Sequence, residues 1–343
     1  MVAENSTLLV NNEDFVDVIT KTASDIATQD IIWTWEPFLP NGTASLLIGD
    51  GGSGKSFFTC AIAAAISTGR PLPGMGDEPI EPADVIIQNT ENAWSYVIKP
   101  RLEMLEADCS RIHSIDDSEK RLTLTDNRIE AAIRKHNAKF IVLDPLQSML
   151  DTNLSMNRSE SVRPALMHLE KVAERTQSTI LLVGHVGKGR GKAQHRSLGS
   201  VDIVNSVPSV LCLGRAKGLD ADIRAVAHLK GNFSELGPTH LFSLSKAEGF
   251  RWEGIDEDIT PDDIMGFIAS KSKEDIGKLD EAVDFLNYVL AGDYMTVAEL
   301  KELANEKGIA DKTLERARKK AGVKSKKVDG VWMVSMADDD IYG

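Results

Sequence analysis

The stretch "LLIGDGGSGKSFF", Leu46 to Phe58, decides the fold. A short apolar strand, Ser45 to Ile48, runs into eight residues that fit Gly-x-x-x-x-Gly-Lys-Ser, and a helical pattern follows from Lys55 to about Ser67. Gly49, Gly51, Gly52 and Gly54 are expected to let the backbone curl round an anion, because glycine reaches positive φ without strain. The helix then points its unpaired N–H groups and positive dipole end at the same spot. Such a loop cradles a triphosphate: Gly49, Asp50, Gly51, Gly52, Ser53, Gly54, Lys55, Ser56 and Phe57 form the nucleotide site. Lys55 is placed to reach the β and γ phosphates and Ser56 to hold Mg²⁺ through its hydroxyl.

Working outward, apolar runs recur: "DVIIQNT", "RIHSI", "KFIVLD", "TILLVGH" and "SVLCLGR", then "IRAVAHLK", "THLFSLSK" and "FRWEG". The early ones alternate with helical patterns near Tyr96, Thr125 and Ser161, as buried parallel strands do. The later ones follow closely on one another and predict an antiparallel extension of the same sheet. The fold class is therefore α/β, a doubly wound P-loop core.

Strand ends in such a sheet gather at the ligand crevice. "VIIQNTENAW" brings Glu91 there, either as the base that deprotonates an attacking water or as a helix-capping acid. "KFIVLDP" is an apolar strand ending in Asp144, which is expected to hold the Mg²⁺ water shell. "LLVGHVGKGRGKAQHRSLGS" ends its strand at His185, either a sensor of the γ-phosphate or a structural hydrogen-bonder. The loop after it carries Lys188, Arg190, Lys192, His195 and Arg196 with no acid, either a binder of phosphate backbone or a solvated basic loop.

With these residues assembled, the chain resembles the RecA-like ATPases and, within them, the RepA-type hexameric replicative helicases of plasmids and mobile elements. The resemblance spans about residues 30 to 250 and rests on "IGDGGSGKS", the Glu91 strand, "FIVLDPLQSML", "LLVGHVGKG", "SLGSVDIVNSVPSVLCLGR" and "VAHLKGN". It implies ATP hydrolysis with Mg²⁺, a homo-hexameric ring, single-stranded DNA in a central pore, and a basic finger from the neighbouring subunit. The family often carries an arginine where this chain has Pro208, and DnaB-type rings carry one where it has Asn232. Lys230 or Arg215 is left for the finger, with Lys230 preferred.

Beyond Trp252 come the acidic "EGIDEDITPDD" and the polar "SKSKEDIGK", and apolar periodicity resumes at Leu279. The expected organisation is an N-terminal segment (1–30), an ATPase domain (31–253), a linker (254–278), a small module (279–337) and a tail (338–343). The module reads as three helices and a hairpin, a winged-helix pattern, with a capping box at Thr296 and Glu299. Arg316, Arg318, Lys319 and Lys320 on its third helix are candidate contacts to duplex DNA, a protein partner being the alternative.

The whole 343-residue chain carries a net charge of −13, which argues against a protein that coats nucleic acid or membrane over its entire surface. Cys60, Cys109 and Cys212 form no metal-ligand pattern and are expected as buried thiols. With no signal peptide or membrane-length apolar run, a cytoplasmic protein without membrane contact is expected.

Overall fold

Strands buried on both faces build the central sheet. The computed structural model describes residues 20–150, 159–185, 201–216, 218–245, 249–290, 294–328 and 330–336, and it divides into two units, Met1–Ile32 and Trp33–Gly343. The first, in its described residues, is exposed chain with one short 3-10 turn, Ala23–Asp25.

The second unit begins with a short hairpin, β1 (Trp33–Trp35) and β2 (Leu39–Pro40), which leads into β3 (Ala44–Gly49) and α1 (Lys55–Thr68). There follow β4 (Val85–Asn89), α2 (Lys99–Met104), β5 (Ile112–His113), α3 (Arg128–His136), β6 (Phe140–Asp144), α4 (Ser159–Thr176), β7 (Thr179–His185), α5 (Val201–Asn205) and β8 (Ser209–Gly214). Then β9 (Ile223–Gly231), β10 (Thr239–Ser245) and β11 (Gly249–Asp256) come in succession.

The large sheet has the order β11-β10-β9-β8-β3-β7-β6-β4-β5. From β8 to β5 all pairings are parallel, while β9, β10 and β11 extend the sheet antiparallel. Strands β3, β4, β6 and β8 are buried throughout, which explains why they read as unbroken apolar runs rather than alternating ones. Leu46, Ile48, Ile141 and Leu182 face a core shared with Ile133, Leu166 and Leu169 of α3 and α4. Leu47, Val142 and Val183 face the other, with Phe58 and Ile62 of α1 and the rings of Trp35, Phe38 and Phe242.

Two registers position the site. Gly49 pairs with His185 across β3 and β7, and Asn89 pairs with Asp144 across β4 and β6. All four strands therefore end side by side at one edge of the core.

The segment expected as a linker, 254–278, instead holds the end of β11 and more than half of one long helix, α6 (Pro261–Val289). Its start is fixed by a capping box: the Thr260 side chain accepts from the Asp263 N–H while Asp263 accepts from the Thr260 N–H, with Pro261 at the first helical position. Polar residues with adequate helix propensity continue it without an apolar stripe, so periodicity alone does not reveal it.

After α6 come β12 (Met295–Thr296), α7 (Val297–Glu306), α8 (Asp311–Ala321), β13 (Lys324–Val328) and β14 (Val331–Ser335), the strands in the order β12-β14-β13. They enclose a separate small core containing Leu286, Leu290, Leu300, Leu314 and Val334. The capping box at Thr296 and Glu299 forms as the sequence predicts. Among the described residues no helix is long and apolar enough to cross a membrane.

Candidate functional site

The loop between β3 and α1 needs its glycines for different reasons than the sequence suggests. Only Gly52 (φ 72°) and Gly54 (φ 105°) adopt positive φ. Gly49 is required by proximity, since a Cβ there would stand 2.2 Å from the Leu213 carbonyl oxygen of β8. Gly51 meets neither demand: its φ is not positive and a Cβ would touch nothing within 4 Å.

Lys55, at the start of α1, folds back into the loop. Its Nζ donates to the carbonyls of Gly49 and Asp50, each at 2.8 Å, and lies 3.4 Å from His185 Nδ1. Burial lowers its pKa to about 8 against the opposing pull of Asp144, Asp50 and Glu91. A buried lysine that satisfies itself on loop carbonyls is one that a phosphate oxygen can claim.

Ser56 donates to Asp144 Oδ2 at 2.7 Å, which joins the two expected Mg²⁺-holding groups directly. Burial raises the Asp144 pKa, countered by the Ser56 hydroxyl and the Lys55 charge. Asn89 Nδ2 donates to the same Asp144 oxygen at 2.9 Å. The other end of the Asn89 amide accepts from the N–H groups of Glu91 and Asn92, at 3.1 and 2.7 Å. Asn89 thus closes the turn that carries Glu91, while the helical turn beyond it, from Trp94, has no side-chain cap; the Glu91 carboxylate lies 3.4 Å from His185 Nε2.

These groups surround a cleft of about 280 Å³ lined by Gly52, Ser53, Gly54, Lys55, Ser56, Phe57, Glu91, Asn92, Arg101, Asp144, His185 and Leu244. Gly49, Asp50 and Gly51 form the stem of the loop rather than its lining. Among the described residues Ser53 Oγ is buried with no hydrogen-bond partner, a polar atom in the loop that a phosphate oxygen would satisfy. The loop, the ammonium and the Ser56–Asp144 pair together fit a magnesium-bound nucleoside triphosphate.

Sequence reasoning missed Asn89, Arg101 and Leu244. Asn89 lies two residues before Glu91 at the end of the same strand, and that was the available signal. Arg101, whose guanidinium stacks over the Phe57 ring at 4.7 Å, reaches the cleft from α2, and Leu244 reaches it from β10. Only the fold brings those two in.

Other expected site residues lie elsewhere. Lys230, at the end of β9, donates to the carbonyls of Val204, Asn205 and Val207 beside α5, and burial lowers its pKa. Arg316, Lys319 and Lys320 are exposed on α8, while Arg318 donates to Ser325 of β13 at 2.6 Å. Lys188, Arg190, Lys192 and Arg196 fall outside the described residues. Of the three free cysteines, Cys60 and Cys212 are buried, with thiols pushed up to about 12 by burial, but Cys109 is only half-buried, against expectation.

A parallel sheet that delivers a glycine loop, a buried lysine and an acid from a separate strand to one cleft is the architecture of a P-loop ATPase. The AAA domain family (AAA_25) matches residues 12–191, just over half of the chain, and the chain belongs to that family. Comparison with curated proteins returns no match.

Proposed function

We propose that this AAA-type ATPase is a ring-forming translocase on single-stranded DNA, a replicative helicase of a plasmid, phage or integrated element like the RepA-type hexamers it resembles. The observation that supports this reading is the run Lys55, His185, Glu91, with 3.4 Å at each step. It links the phosphate-binding lysine and the candidate base through the last residue of β7, after which the sequence enters Lys188, Arg190, Lys192 and Arg196. A group that touches both sides of the γ-phosphate position and begins the basic loop is suited to report hydrolysis to that loop.

In this reading Lys55 trades its loop carbonyls for the β and γ phosphates, and Ser56 and Asp144 hold Mg²⁺. Bound there, the ion would supply positive charge beside the phosphates. Glu91 accepts the proton of the attacking water while His185 holds the carboxylate in place. Lys230 of a neighbouring subunit would exchange its α5 carbonyls for that subunit's triphosphate.

A second reading is favoured by the C-terminal module, which we read as winged-helix-like: exposed cations on α8 and on β13, Lys324, Lys326 and Lys327, make a basic face in an acidic chain. It makes the chain a nucleotide-switched DNA-binding or loader protein without strand separation, or an ATPase that regulates a protein partner. ATP turnover with and without single-stranded DNA, beside light-scattering mass, separates these. Stimulated turnover by a ring supports the translocase. Turnover indifferent to single strands, or a monomer at saturating nucleotide, sinks it.

A further inference from the structure

At the edge of the sheet, away from the cleft, three side chains from three elements meet. Asp84 immediately precedes β4, at the opposite end of that strand from Asn89; His113 ends β5; His136 ends α3. One donor atom from each lies within 4.8 Å of the others. His113 Nε2 is 2.8 Å from Asp84 Oδ2, and the Arg111 guanidinium donates to the other oxygen, Oδ1, at 3.1 Å. The two imidazole rings are stacked with centroids 3.7 Å apart and 20° between their planes. Beside both rings, between β5 and α3, opens a cavity of about 360 Å³.

We propose that Asp84, His113 and His136 form a binding site for a divalent transition ion of the zinc class. The donor set carries the choice of ion. Two imidazoles and one carboxylate suit Zn²⁺ or Co²⁺, whereas Mg²⁺ and Ca²⁺ take oxygen shells.

Arg128 and Lys135 also line the cavity, but the Arg128 guanidinium is held by Asp126 at 2.8 to 3.1 Å. Nitrogen lone pairs lie in the ring plane, so binding turns His136 out of the stack and into the cavity. The same space admits the water that completes a tetrahedral shell. The ion takes the place of the proton between His113 Nε2 and Asp84 Oδ2; in the neutral ring that proton sits on Nδ1 instead, leaving the Nε2 lone pair for the ion. Arg111 remains as the outer partner that orients Asp84.

The consequence is mechanical. Strand β5 is two residues long and joins the sheet through Val85 with Ile112 and Ile86 with His113. The ion ties this short edge to α3.

The test uses the full-length, tag-free chain stripped with EDTA and dialysed against Zn²⁺ in excess Mg²⁺. One equivalent of zinc is expected to remain bound. Asp84→Asn, His113→Asn and His136→Asn should each weaken binding by more than about 100-fold, beyond the 10–100-fold that outer-shell changes cost. Asp144→Asn should retain the zinc, which separates this site from the nucleotide cleft. X-ray absorption on the zinc-loaded wild type reads the ligands directly, however the variants fold, and two imidazoles with oxygen are expected. A shell of oxygen alone, a wild type that retains no zinc, or a His113→Asn chain that binds as tightly as wild type overturns the site.

Discussion

His185 Nε2 lies 3.4 Å from Glu91 Oε1, and the other nitrogen of the same ring faces Lys55 Nζ. An ammonium only donates, so Nδ1 accepts from Lys55, and in the neutral ring the remaining proton sits on Nε2, the nitrogen nearer Glu91. Glu91→Gln keeps the shape and loses the proposed base. Turnover should fall by about 100-fold or more, the scale of general-base removal, while nucleotide affinity stays near that of wild type. Fluorescent-nucleotide titration beside a phosphate-release assay checks both, and unchanged hydrolysis removes Glu91 from the chemistry.

How far the sequence reaches is visible in this site. The loop motif names Lys55 and Ser56, and the apolar strand "KFIVLDP", paired with that loop, names Asp144, because phosphate and Mg²⁺ chemistry asks for those residue types. It misassigns the glycines, since Gly49 is needed for its closeness to Leu213 and Gly51 is not needed conformationally at all. Arg101 and Leu244 have no local signature: strand order puts them at the cleft. The same limit applies to α6, where capping chemistry at Thr260 and Asp263 begins a helix long before any apolar stripe marks it.

Lys55→Ala should abolish turnover and leave the fold intact, because it removes the cation the loop presents to the β and γ phosphates while relieving a buried charge. Lys55 has a pKa near 8 in the nucleotide-free chain, and a triphosphate beside it raises that value. Nucleotide binding at pH 8 to 9 should therefore take up protons, and affinity should weaken as pH rises through that range. Calorimetry in buffers of different ionisation enthalpy reads the uptake directly. No proton linkage in wild type, or the same linkage in Lys55→Ala, assigns the proton elsewhere.

The glycine assignments separate by stability. A methyl at Gly49 meets the Leu213 carbonyl at 2.2 Å, a backbone atom of a buried strand that cannot withdraw. Gly49→Ala should cost about 1–3 kcal/mol, in the range of overpacking. Gly51→Ala should change stability by less than about 0.5 kcal/mol. Urea midpoints of the two variants suffice, and equal values contradict the distinction.

Two buried histidines make stability depend on pH. His228 accepts from the Gly237 N–H and lies 3.3 Å from Ser209 Oγ, and His240 packs against Trp35 and Phe38. Burial lowers both from 6.5 to about 4. The unfolded chain takes up protons below 6.5 and the folded chain only near 4. The stabilisation is thus complete above pH 6.5 and is lost as pH falls toward 4, by about 3 kcal/mol for each ring. His240→Phe should flatten the fall in urea midpoint between pH 7 and 5. An unchanged slope would mean that His240 is not the group being titrated.

Lys188, Arg190 and Lys192 follow His185 in sequence, so a change at the γ-phosphate position has the shortest path to them. Neutralising the three together should eliminate stimulation of turnover by single-stranded DNA while basal turnover and assembly persist. It should also flatten the salt dependence of single-strand binding, because each lost phosphate contact removes about 0.7 from the magnitude of the log–log slope. Neutralising Arg316, Arg318, Lys319 and Lys320 on α8 is the matched control, since the loader reading puts DNA there. Arg318 also anchors Ser325 of β13, so this control needs its own melting curve. If the α8 variant melts like wild type and alone loses single-strand binding while the loop variant behaves normally, DNA is held by the C-terminal module. The translocase reading then gives way to the nucleotide switch.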